Sequence, residues 1–140
     1  MTIRYLLDTN VLSETLRPAP HPRVLERLQE NQTAIALPSI VWHELWYGAC
    51  RLLPSRKRTI IEAFLRDVVA PAIPILPYDQ LAAAWHAQQR ARLARIGRPR
   101  PFADGQIAAI AAVNGLILVT SNTNDYAAFQ GLRLEDWSAD

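Results

Sequence analysis

The sequence has a single cysteine, Cys50, so no disulfide can form within the chain, and its three histidines form no Cys/His cluster with zinc-ligand spacing. It has no apolar run long enough to cross a bilayer. It has no signal-peptide core either, because the strand-like Ile3 to Leu7 leads at once to Asp8. Internal repeats, low-complexity tracts and linkers are absent. These absences exclude a disulfide scaffold, a zinc ribbon and a membrane protein, and they lead us to expect a soluble chain in a reducing, cytoplasmic setting. Lysine is nearly missing as well: Lys57 is the only one among fifteen basic residues, and the rest are arginines. Arginine suits phosphate, because its guanidinium is a rigid, permanently charged fork.

What the sequence does contain is enough for one core. Its 140 residues are half hydrophobic, the size and composition of a single domain spanning 1–140. Net charge is only +2, with a pI near 9.0. Ile3 to Leu7 reads as a short buried strand, followed by the turn Asp8-Thr9-Asn10 and a helix from about Val11. Pro18, Pro20 and Pro22 interrupt the chain before a short helix over Arg23 to Gln29. Ala34 to Leu37 reads as a second strand, and Pro38-Ser39 opens a helix over Ile40 to Leu53, with Glu44 in its second turn. Ser55 caps a further helix, whose apolar stripe is Ile60, Ile61, Phe64, Leu65 and Val68. A brief strand at Ile73 to Leu76 precedes a long helix capped by Asp79 and running to about Arg95. The Pro-rich segment Ile96 to Pro101 delivers the chain to Asp104, at the head of an Ala/Ile-rich helix that stops at Asn114-Gly115. Leu116 to Thr120 is the clearest strand, then come a polar turn to Asp125 and an edge strand near Leu132 to Leu134. Short apolar strands separated by helices predict an α/β fold: a doubly wound, mainly parallel sheet flanked by helices. Ligands of such sheets sit beyond the carboxyl ends of the strands, which is where Asp8 and the Asn122 to Asp125 turn fall.

Most of the acidic side chains lie on polar helix faces or near the end of the chain. Asp8, Glu44 and Asp104 differ, because their neighbours are apolar or small. A carboxylate in such surroundings is costly to bury without compensation, and several together raise one another's pKa unless a cation sits among them. Magnesium or manganese meets that need with oxygen ligands and retained water, and it would prepare a water for attack on a phosphodiester. Each acid taken singly also has a plainer role. Asp8 and Asp104 suit helix starts, and Glu44 could reach solvent or an arginine.

The segments Leu6-Leu7-Asp8-Thr9-Asn10-Val11-Leu12-Ser13, Ser39-Ile40-Val41-Trp42-His43-Glu44-Leu45-Trp46-Tyr47-Gly48, Asp104-Gly105-Gln106-Ile107-Ala108-Ala109 and Leu118-Val119-Thr120-Ser121-Asn122-Thr123-Asn124-Asp125-Tyr126 follow one another over almost the whole chain. In that order and spacing they resemble the PIN-domain ribonucleases, and within them the VapC or FitB-like toxins of toxin–antitoxin pairs. The resemblance implies a PIN-like fold and a magnesium- or manganese-dependent endoribonuclease acting on cellular RNA. It also implies a homodimer, and a cognate antitoxin that holds the enzyme inactive. It places Asp8 and Asp104 as direct metal ligands and Glu44 as a residue acting through water, with Asn10 and Thr120 in support. For the fourth acidic position two residues remain open: Asn122 stands where many relatives have an acid, and Asp125 lies three residues later, the one we favour for catalysis.

Arg90, Arg92, Arg95, Arg98 and Arg100 run toward Asp104, and Arg95, Arg98 and Arg100 are the candidates for gripping RNA phosphates. Their plainer role is favourable interaction with a helix C-terminus. Tyr5, Trp42, Trp46, Tyr47 and Trp85 read as core or interface residues rather than stacking platforms. An aspartyl-phosphate phosphatase is disfavoured, because its second acid would fall on Asn10. A histidine-driven ribonuclease is disfavoured by His43 pointing away from Glu44 and by the lack of partners for His21 and His86. The competing function from another class is a PIN-fold module that binds RNA or protein without cutting.

Overall fold

The computed structural model describes residues 2–139. Five parallel strands, β1 (Tyr5–Leu7), β2 (Ile35–Pro38), β3 (Ile75–Leu76), β4 (Ile117–Val119) and β5 (Arg133–Glu135), form one sheet in the order β3-β2-β1-β4-β5. The chain winds outward from β1 to β3, crosses back, and lays β4 on the other side of β1. β1 is therefore central, and its two neighbours run to opposite edges. Leu6 pairs with Ala36 on one side and Leu118 on the other, Leu7 pairs with Val119, and all five are buried. The winding direction reverses between β1 and β4, so the gap beyond their carboxyl ends is the switch point where doubly wound sheets bind ligands.

Helices cover the sheet: α1 (Thr9–Ser13), α2 (Pro22–Glu30), α3 (Ser39–Cys50), α4 (Arg56–Phe64), α5 (Ala70–Ala72), α6 (Gln80–Arg95), α7 (Phe102–Val113) and α8 (Thr123–Tyr126). Their starts follow the expected caps. Asp8, Ser55 and Asp79 accept hydrogen bonds from the amides of Thr9, Arg58 and Ala82 at 2.8, 3.2 and 3.0 Å. α7 ends where Gly115 takes a φ of +66°, a conformation that a Cβ would strain. The stretch Ile107 to Ala111 is wholly buried, which explains a helix apolar all round: it runs through the centre of the protein.

Two expectations need correction. The apolar stripe after Ser55 holds only in its middle: Ile61, Phe64 and Leu65 pack on the core, while Ile60 and Val68 are more than half exposed and Val69 is buried instead. Between α4 and α5 the chain makes a π-helical turn, Leu65–Val69, whose extra residue moves the inward face from Val68 to Val69. Tyr47, read as a core or interface residue, lies outside the core, 60 % exposed on α3 and stacked on His43. The residues before Asp125 also differ from a plain turn, since Thr123–Tyr126 closes into one helical turn, α8. Among the described residues, no helix is long and apolar enough to cross a membrane.

Candidate metal and nuclease site

Asp8 leaves the end of β1 directly, its amide bonded to the Val119 carbonyl of β4 at 2.9 Å, so the carboxylate projects into the switch-point gap. It is 7 % exposed. Four donors satisfy it. Oδ1 takes the Thr9 amide, while Oδ2 takes the Thr120 hydroxyl at 2.9 Å, the Tyr126 hydroxyl at 3.2 Å and the Asn10 amide group at 3.4 Å. Thr120 is the first residue past β4 and fully buried, and its Oγ1 also accepts the Asn122 amide at 3.1 Å. These bonds stand in for the water that burial removes from the carboxylate and fix its orientation.

Glu44 enters from α3 and accepts the Thr9 hydroxyl, which ties the second acid to the residue beside the first. Asp104 stands in the first turn of α7. Its carboxyl is pushed above the ordinary aspartate range chiefly by burial; Arg100 opposes that shift, and the negative charges of Asp8 and Asp125 add to it. Asp125, on α8, meets the same arginine: Arg100 Nη2 lies 3.2 Å from Asp104 and 3.4 Å from Asp125. Arg100 is thus seated among the acids, with its buried Nε lacking any partner among the described residues. Of the two residues left open for the fourth position, Asp125 turns its carboxylate to this group, whereas the Asn122 side chain is exposed and leaves α8 uncapped.

Sequence reasoning missed two contributors, Tyr126 and Thr9. Tyr126 is 2 % exposed, and burial together with the charges of Asp8 and Asp104 raises its pKa far above the ordinary phenol value, so it stays a donor to Asp8. Its only signal was its place beside Asp125, and a tyrosine in an apolar context reads first as core. His86 and His21 do have partners: His86 Nδ1 meets the Tyr78 hydroxyl at 2.8 Å, and His21 caps α2. Arg95, at the end of α6, and Arg98, just beyond it, are exposed, while Arg92 is committed to the Ala128 carbonyl at 2.6 Å.

The donor chemistry fits a hard dication, being all carboxylate and hydroxyl oxygen around acids whose mutual charge needs compensation. Among the described residues no three His, Cys, Asp or Glu side chains stand close enough to form a ready cage. Magnesium does not require one, since it is commonly held by one or two carboxylates with water filling the other positions. Asp8 and Asp104 would hold the ion.

A family model described as "PIN domain" matches residues 5–131 of this chain. The chain belongs to the PIN-domain family. Within that family it falls in the VapC/FitB-like branch. It is 40 % identical over 137 residues to the tRNA(fMet)-specific endonuclease VapC of Shigella flexneri, with 97 % of this chain and 99 % of that one aligned. Among solved structures, FitAcB from Neisseria gonorrhoeae superposes with a TM-score of 0.87 at 33 % identity, covering 95 % of this chain and 97 % of that one. DNA-bound VapBC from Salmonella typhimurium superposes with a TM-score of 0.80 at 34 % identity, covering 96 % and 98 %. PIN-domain nucleases generally work with a divalent metal.

Proposed function

We propose that this PIN-domain chain is a magnesium-dependent endoribonuclease toxin that hydrolyses RNA phosphodiester bonds. The observation that carries this reading is the convergence of Asp8, Glu44, Asp104 and Asp125, from four separate elements, on the gap beyond β1 and β4. A bound dication would supply Lewis acidity and an ionisable water. The protein's own residues do the rest. Asp8 is held in one orientation by Thr9, Thr120, Tyr126 and Asn10, and Asp104 is kept in a desolvated position where its charge seeks a cation. Glu44, fixed by Thr9, is the base that orients and accepts a proton from water. Asp125 compensates Arg100, and Arg95 and Arg98 offer exposed charge to RNA phosphates approaching the site.

The solved FitAcB and VapBC complexes support a cognate antitoxin as the partner that keeps the activity in check; a homodimer working in the cytoplasm belongs to the same proposal. One observation favours a second reading, a binding module that does not cut: the Arg100 guanidinium already pairs with both Asp104 and Asp125 and offsets part of their charge. RNA cleavage measured with magnesium, with chelator, and with Asp8→Asn separates the two. The nuclease cuts only in the first condition, and identical product patterns in all three exclude it.

A further inference from the structure

A cleft of about 250 Å³ opens on the far side of Asn10, between α1, α2 and the segment following β5. It shares a wall with the acidic site. The Asn10 side-chain amide reaches Asp8, its Oδ1 accepts the Ser121 amide at 3.1 Å, and both Asn10 and Ser121 line the cleft. The volume is just under the roughly 300 Å³ at which drug-sized pockets begin, which suits a fragment such as one base with its sugar.

The floor is apolar and rigid, made of Val11, Val24 and Trp137, all buried. Trp137 cannot swing, because its indole N–H donates to Glu135 at 3.1 Å, its ring packs edge-on against Tyr5, and the Arg27 guanidinium covers it at 5.4 Å. Two carboxylates also line the cleft, and they are not equivalent. Glu14 has both oxygens engaged, by the His21 amide at 2.8 Å and by Arg17 at 3.3 Å. Asp136 gives Oδ1 to Ser138, while Oδ2 takes no hydrogen bond among the described residues. His21 supplies the opposite polarity. Its Nδ1 accepts the Arg23 amide at 3.2 Å, so the neutral ring carries its proton on Nε2.

An apolar slot with a spare carboxylate oxygen at Asp136 and N–H donors at His21 and Arg17, beside a phosphodiester-cutting site, matches a base splayed out of single-stranded RNA and read on its Watson–Crick edge. Guanine fits this set best. Its N1–H and N2–H converge on one acceptor and its O6 takes a donor, whereas uracil offers a single N–H between two carbonyls. We propose that the cleft receives the base beside the scissile phosphate and selects guanine through Asp136. This rests on the ribonuclease reading of the neighbouring acids, but its test does not depend on cleavage.

Titration calorimetry with GMP, AMP, CMP and UMP measures the cleft directly. GMP should bind at least about tenfold more tightly than UMP, as expected for one well-made edge contact. Asp136→Asn keeps the Oδ1 acceptor for Ser138 and should erase the difference, while Asp67→Asn, at an exposed acid on another face, should leave it intact. Equal GMP and UMP affinities, a preference for AMP or CMP, or a GMP preference that survives Asp136→Asn would each overturn the proposal. Cleavage of short RNAs differing at one flanking base runs alongside. Retained GMP selectivity without cleavage sinks only the nuclease reading, and cleavage without GMP selectivity sinks only the base pocket.

Discussion

Replacing Thr120 by Val removes one hydroxyl from the fully buried end of β4 and keeps the β-branched shape. The lost bond, 2.9 Å to Asp8 Oδ2, ends on an ionised acceptor, a class worth about 1.5 to 3 kcal/mol. The Asn122 amide loses its acceptor too, but Asn122 is exposed and water replaces that bond at little cost. Asp8 itself is 7 % exposed and has no comparable access to water. We therefore expect Thr120→Val to cost about 2 to 3 kcal/mol in urea unfolding at neutral pH, with an unchanged m-value. Tyr126→Phe, which removes the longer 3.2 Å bond to the same oxygen, should cost about 1.5 kcal/mol. The charge of Asp8 is the reason for these values, so the decisive comparison is made in an Asp8→Asn background. There the acceptor is neutral and the Thr120→Val cost should fall to about 1 kcal/mol, a coupling of roughly 1 to 2 kcal/mol. Manganese affinity, read by titration, should drop about 10- to 100-fold in Thr120→Val, as is usual when a partner orienting a metal ligand is lost. A cost below about 0.5 kcal/mol, or the same cost in both backgrounds, would refute the claim that Asp8 is a buried charge held by its hydroxyls.

Asp104 has a folded pKa raised above 3.8, so its ionisation weakens the fold: any stability present below pH 3.8 is lost as pH rises through the folded value. Asp104→Asn should accordingly abolish cleavage yet raise the melting temperature at pH 7, with the gain vanishing below pH 3.8; a lower melting temperature at pH 7 would count against burial as the dominant cause. Gly105 allows His86 to press against α7, since a Cβ there would overlap His86 Nε2. Gly105→Ala should destabilise by about 1 to 3 kcal/mol despite its better helix propensity, and His86→Ala should remove most of that penalty in a double-mutant cycle. Arg98→Ala should weaken RNA binding and lower the slope of log affinity against log salt by about one phosphate contact, while Arg100→Gln should tighten manganese binding severalfold by freeing Asp104 and Asp125. Unchanged salt dependence and metal affinity would remove both arginines from these roles.

The sequence carried much of the fold because its signals are local. Asp8, Ser55 and Asp79 are caps whose side chains bond amides only one to three residues away, and Gly115 stops α7 through its own backbone freedom. The parallel order follows from helices between short apolar strands. The stripe failed at its far end, Val68, because periodicity reasoning assumes a constant turn, and one π-helical turn shifts the inward face to Val69. Nothing local announces that turn; it is chosen by what Leu65 and Val69 pack against.

The candidate site divides in the same way. Sequence alone determined which residues were unusual: acids beside apolar neighbours at strand ends and helix starts, in segments resembling a known family. It could not say that Arg100 joins Asp104 to Asp125, that Tyr126 turns its hydroxyl to Asp8 across 118 positions, or that Asp136 faces a cleft behind Asn10. Those are distances between remote parts of the chain, fixed when β4 returns beside β1 and the helices close over the sheet. A residue's chemistry is a property of its own atoms, whereas its charge environment belongs to whatever the packed chain brings within a few ångströms, and only tertiary structure decides that.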